Sequence, residues 1–74
     1  MRRIENDILK NAYQNYRKNN SLLSYFLFPV GEENEARAAL DNLYEDGYIK
    51  FPGKSLGASY VTLTPKGLEL ASTL

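Results

Sequence analysis

A chain of 74 residues with no cysteine and no histidine excludes disulfide staples, thiolate metal sites and the usual general base near neutral pH. The 43% hydrophobic fraction suits a folded chain, and the length leaves room for one small core. Net charge is zero, yet its layout is basic, acidic, basic. Residues 1–20 carry Arg2, Arg3, Lys10, Arg17 and Lys18 against Glu5 and Asp7, and residues 21–46 carry Glu32, Glu33, Glu35, Asp41, Glu45 and Asp46 against Arg37 alone. Such a distribution bears on partners more than on fold.

From Arg2 to Lys18, Ile4, Ile8, Leu9, Ala12, Tyr13 and Tyr16 recur at the intervals of an amphipathic helix with one buried face. Arg17 and Lys18 suit the negative end of its dipole, and Asn19-Asn20 supplies a stop. The run LLSYFLF, Leu22 to Phe28, is too short and too apolar for a surface element. Periodicity cannot separate a buried two-turn helix from a strand. Its position between two helices favours the helix, with Ser21 as the cap. Pro29-Val30-Gly31 breaks the run.

The next helix is expected over Glu32–Glu45. Ala36, Ala39, Leu40 and Leu43 share one face, and Glu32, Glu33 and Glu35 sit at the positive end of the dipole. Gly47 stands where a helix takes a left-handed residue, which predicts a positive φ. Tyr48 to Phe51 then reads as a strand, stopped by Pro52-Gly53, and the glycine-bearing stretch to Ala58 reads as a flexible connection. Ser59–Leu63 alternates as a second strand of an antiparallel hairpin. Thr64 and Pro65 open a short last helix as N-cap and N1. The expected core is Ile8, Leu9, Leu23, Phe26, Ala36, Leu40, Leu43, Ile49, Val61, Leu63 and Leu68.

The motifs Leu40-x-x-Leu43-x-x-x-Gly47-Tyr48-Ile49 and Leu63-Thr64-Pro65-Lys66-Gly67 resemble the recognition helix and returning wing strand of winged helix-turn-helix domains. The resemblance covers nearly the whole chain. It implies a single mostly helical α+β domain over residues 1–74, with three helices, a two-stranded hairpin and a short C-terminal helix. Leu22–Phe28 would be the second helix, Glu32–Glu45 the recognition helix, and Pro52–Ala58 the wing tip.

By the same resemblance the function is that of a small DNA-binding protein, a transcriptional regulator acting on double-stranded DNA. On the outward face of the third helix, Arg37 suits guanine, and Asn34 and Asn42 suit adenine. Lys50 and Lys54 would hold phosphate. The acidic third helix opposes phosphate binding, which sets a second expectation beside the first: an interaction module docking a basic protein partner.

The carboxylates sit on an exposed helix face and converge on no pocket, so no enzyme, cofactor or metal is expected. The absence of a long apolar run and of a signal peptide at Met1-Arg2-Arg3-Ile4 sets a cytoplasmic location, away from membranes, as the expectation. A homodimer through the first helix, using Ile4, Tyr13 or Tyr16, is compatible with this composition.

Overall fold

The apolar stripe of the N-terminal segment forms the first helix, α1 (Arg3–Asn19), which buries Ile4, Ile8, Leu9 and Ala12. Asn20 ends it in the left-handed region (φ 53°, ψ 38°), and its amide donates to the Tyr16 carbonyl at 2.8 Å. The computed structural model describes residues 1–74. After α1 come β1 (Leu23–Leu27), α2 (Glu33–Glu45), β2 (Gly53–Lys54), β3 (Ala58–Thr62) and α3 (Pro65–Ala71). The result is a small α+β domain of three helices and a three-stranded antiparallel sheet, in the order β1-β3-β2.

The run expected as a second helix, Leu22–Phe28, is a strand, and the two-stranded hairpin expected from the sequence is one part of a three-stranded sheet. Its side chains alternate in burial. Ser24, Phe26 and Phe28 point inward, while Leu23, Tyr25 and Leu27 are exposed. Pairing with β3 runs from Leu23 opposite Thr62 to Leu27 opposite Ala58. The physical reason lies in length and neighbours. Seven residues between an asparagine turn and a proline carry a high helix nucleation cost, whereas extension gives them a full antiparallel ladder. Leu23, expected in the core, is 51% exposed as a consequence. Ser21 caps no helix; its hydroxyl oxygen instead accepts from the Leu23 amide at 3.2 Å.

β1 is an edge strand, and α1 blunts part of its free edge. The Asn11 amide donates to the Tyr25 carbonyl at 3.3 Å, and the Asn15 amide donates to the Leu23 carbonyl at 2.8 Å and the Ser21 carbonyl at 3.2 Å. These side chains occupy acceptors that a foreign strand would otherwise use.

The strand expected over Tyr48–Phe51 is reduced to one bridge, Ile49 opposite Leu63, extended by the Lys50 amide donating to the Thr62 carbonyl at 2.9 Å. Regular pairing resumes at Gly53 opposite Tyr60. Between these registers Phe51 and Pro52 both face Val61, the two-against-one count of a β-bulge. Pro52 lacks an amide to give to a ladder, which is why the irregularity falls there. The hairpin loop is thereby shortened to Ser55–Gly57, with the Ser55 amide donating to the Ala58 carbonyl at 2.8 Å.

α2 buries Ala36, Ala39, Leu40 and Leu43 and ends as the glycine predicts, with Gly47 at φ 82°. The Tyr48 amide donates to the Leu43 carbonyl at 2.9 Å and the Gly47 amide to the Tyr44 carbonyl at 3.0 Å, the bond pair of a Schellman motif. A Cβ on Gly47 would meet nothing nearer than the Lys66 side chain at 3.9 Å, so the penalty of a substitution is backbone strain alone. Gly47→Ala is expected to destabilise by about 1 kcal/mol. Urea denaturation checks this, and a neutral result would contradict the positive φ.

α3 opens as expected. The Thr64 hydroxyl oxygen accepts from the Gly67 amide at 3.0 Å and its hydroxyl donates to the Gly47 carbonyl at 2.6 Å, with Pro65 in the first turn. One threonine thus caps one helix and ties it to the end of another. Ile8, Leu9, Phe26, Ala36, Leu40, Leu43, Ile49, Val61 and Leu63 are buried, joined by Ile4, Ala12, Phe28, Ala39 and Ala71. Leu68 lies half-buried at the edge of this cluster. No helix is long and apolar enough to cross a membrane.

Candidate docking face on α2 and the hairpin loop

With Ala36, Leu40 and Leu43 turned inward, helical geometry puts Asn34, Ala38, Asp41 and Glu45 along the opposite ridge, and all four are exposed. The hairpin loop lies along one flank of this ridge, where Arg37 reaches it. Its guanidinium donates to the Ser55 carbonyl at 2.9 Å and the Leu56 carbonyl at 2.7 Å and lies 5.1 Å from the centroid of the Phe28 ring. One turn on, Asp41 accepts from the Lys54 ammonium at 2.6 Å. Arg37 and Asp41 could have paired with each other at this spacing; instead Arg37 holds the loop and Asp41 the end of β2 that leads into it.

Of the five residues expected to meet DNA, three are engaged within the fold. Arg37 clamps the loop and Lys54 is paired with Asp41. Asn42, half-buried, donates to the Glu5 carboxylate at 3.3 Å across the α1–α2 contact. Asn34 and Lys50 are exposed. α2 and the hairpin bring Asn34, Arg37 and Lys54 to one side of the molecule, while Asn42 faces α1. Lys50 lies opposite Thr62 on the sheet.

The acidic residues divide similarly. Glu32 forms an ion pair with Arg3, which also donates to Asp7 at 2.9 Å. The hydrogen bond and charge of Glu32 hold the Arg3 guanidinium above its ordinary pKa, so this cation stays charged and local. Glu33 accepts from the Gly31 amide at 3.3 Å, closing the turn before α2. Glu35, Glu45 and Asp46 are exposed and have no ion pair. Arg37 has no acidic partner either, but its guanidinium is held on the loop carbonyls, so the charges of α2 and its C-cap that are free of side-chain and loop contacts are negative.

The clamp itself was hidden from sequence reasoning, because its partners are main-chain carbonyls far along the chain. The one local hint is the glycine pair around Lys54 and Ser55, which marks a loop small enough to fold back. Arg37→Ala is expected to cost about 1–2 kcal/mol, since charge-assisted bonds to exposed carbonyls lie at the lower end of their range. Faster amide exchange confined to Ser55–Ala58 would accompany it. Unchanged exchange there would show that the loop holds its place without Arg37.

Two surface concavities exist, of about 180 Å³ beside Arg2, Arg3 and Glu32 and about 280 Å³ beside Tyr48, Lys66 and Leu70. Both fall below the ~300–1,000 Å³ of ordinary small-ligand pockets. Glu35 of α2 also lines the first, and neither includes Asn34, Ala38, Asp41 or Glu45. No protein-family model, curated protein or solved structure matches the chain.

Proposed function

We propose that the chain is a reduced winged-helix domain, with β1 standing where a second helix is expected, and that it is a non-catalytic interaction module. In this reading α2 docks on a basic segment of a partner protein. One observation carries it: Arg37 and Lys54 are engaged inside the fold, whereas Glu35, Glu45 and Asp46 stand exposed and unpaired. Exposed carboxylates on one helix steer a cationic partner and speed its encounter. They repel phosphate, the group on which duplex affinity mainly depends.

A second reading, duplex DNA bound through α2 and the hairpin, is supported by the element order and by the exposure of Asn34 and Lys50. It requires Arg37 to leave two carbonyls before it can reach a base. The two readings differ in sign. Glu35→Gln/Glu45→Gln leaves the Arg37 and Asp41 contacts intact. It is expected to weaken binding of a labelled Lys/Arg-rich peptide by about 3–10-fold at low salt, chiefly through slower association. The same double change would strengthen a duplex binder by relieving repulsion. Stopped-flow anisotropy with both probes separates the outcomes, and tighter duplex binding with unchanged peptide binding would overturn the proposal.

A further inference from the structure

Resting on the reading of α2 as the docking helix, we infer that Tyr44 and Phe51, with Asp41 and Glu45 beside them, seat an arginine of the basic partner segment. Tyr44 lies one turn beyond Asp41, on the flank of α2 that faces the hairpin. Phe51 reaches it from the sheet. Ile49 is buried and alternation turns Lys50 to the outer face, so Phe51 returns to the side on which α2 lies. The two rings meet edge to face, with centroids 5.4 Å apart and planes at 90°. Both remain open to water, Tyr44 at 44% and Phe51 at 76% exposure.

Charge decides what covers them. Three other rings already carry a cation of the fold: Arg17 lies 5.9 Å from the Tyr13 centroid, Arg37 5.1 Å from that of Phe28, and Lys66 4.7 Å from that of Tyr48. Neither Tyr44 nor Phe51 has one. Asp41 and Glu45 stand one turn apart on the ridge next to Tyr44, where like charges repel each other. Of their carboxylate oxygens only Asp41 Oδ1 meets a cation, the Lys54 ammonium at 2.6 Å. The other lysines of this end are engaged or turned away. Lys66 donates to the Asp46 carbonyl at 2.7 Å, and Lys50 is on the outer face of the sheet. Open ring faces and free carboxylate oxygens both attract a cation.

Among cations, arginine satisfies both parts at once. Its guanidinium is planar, so one face lies on a ring while the N–H donors at its edge reach a carboxylate. Lysine is a compact, strongly hydrated point charge without such a plane. A phosphate is repelled by Asp41 and Glu45, and an uncharged apolar side chain leaves their mutual repulsion in place. The other exposed pair, Tyr25–Tyr60, has no carboxylate on its paired strands and makes no such selection.

Three labelled peptides test this, identical lysine-rich hosts with Arg, Lys or Leu at one central position, each titrated at low salt. The Arg peptide is expected to bind about 2–5-fold more tightly than the Lys peptide, and the Leu peptide most weakly. The δ-methylene protons of the bound arginine should move upfield under the ring currents. Phe51→Leu keeps an apolar side chain at an exposed position and should retain the wild-type circular dichroism spectrum while abolishing the Arg preference. Tyr44→Leu gives a second route to the same loss. Equal binding of the Arg and Lys peptides, or a preference untouched by both ring substitutions, would overturn the inference while the docking role of α2 stands. Tightest binding of the Leu peptide would overturn it in favour of an apolar occupant. No binding of any of the three would overturn both readings together.

Discussion

Gly67→Ala is expected to leave most of the chain unfolded, although it adds one methyl group to a helix. Alanine normally favours a helix over glycine by about 1 kcal/mol, so propensity alone gives the opposite sign. Space decides the matter. A Cβ on Gly67 would lie 1.8 Å from the Tyr48 carbonyl oxygen and 2.8 Å from its carbon. Those atoms are main chain and are held by the Thr64 amide, which donates to the same oxygen at 3.1 Å. The first turn of α3 must therefore move away from the segment entering the sheet. That breaks the Thr64 tie to Gly47 and uncovers Ala71 and the core beneath it. Overpacking that forces side-chain and main-chain shifts costs about 1–3 kcal/mol and occasionally more, and a contact this short with fixed main chain belongs at the upper end. A domain this small has a margin of only about 3–5 kcal/mol. Urea unfolding followed by circular dichroism reads the loss, and a change below about 1 kcal/mol would contradict this packing of α3.

Leu40→Ala should be nearly as damaging, for the converse reason. Leu40 is wholly buried in the core cluster, and its helix neighbours Ala36 and Ala39 are too small to fill the void. Truncating such a leucine costs about 2–5 kcal/mol, through lost transfer energy and the residual cavity. Leu40→Met conserves volume and is expected to cost less than about 1.5 kcal/mol. Thermal melts of the pair check both values. Equal, small losses would mean that α2 presents a different face to the core.

The parts of this fold legible in the sequence are those set by neighbours within a few positions. The stripe of α1, the inward face of α2, the left-handed Gly47 and the Thr64-Pro65 helix start each follow from local geometry and capping chemistry. β1 was not legible, because Leu22–Phe28 shows its alternation only against β3, and a residue such as Leu23 is as apolar as Phe26 while facing water. The bulge at Phe51-Pro52 is likewise a property of pairing. Among the site residues, type and position along α2 placed Asn34 and Arg37 on its accessible side. Which cations remain available was not legible, since the partners of Arg37 and Lys54 arrive with the hairpin loop. Asn42 lies off the ridge on the side facing α1, where it donates to Glu5.

Whether α2 meets protein or DNA is read most directly by amide chemical-shift mapping of the isotope-labelled chain, titrated separately with a Lys/Arg-rich peptide and a mixed-sequence duplex. The expected result with the peptide is a set of shifts centred on Glu35, Glu45 and Asp46 that fades as salt rises. The duplex should leave these amides and those of Ser55 and Leu56 unmoved at moderate salt. Shifts at Asn34, Arg37, Lys50 and Lys54 on adding duplex, with none on adding peptide, would contradict the assignment of α2 as a protein-docking helix.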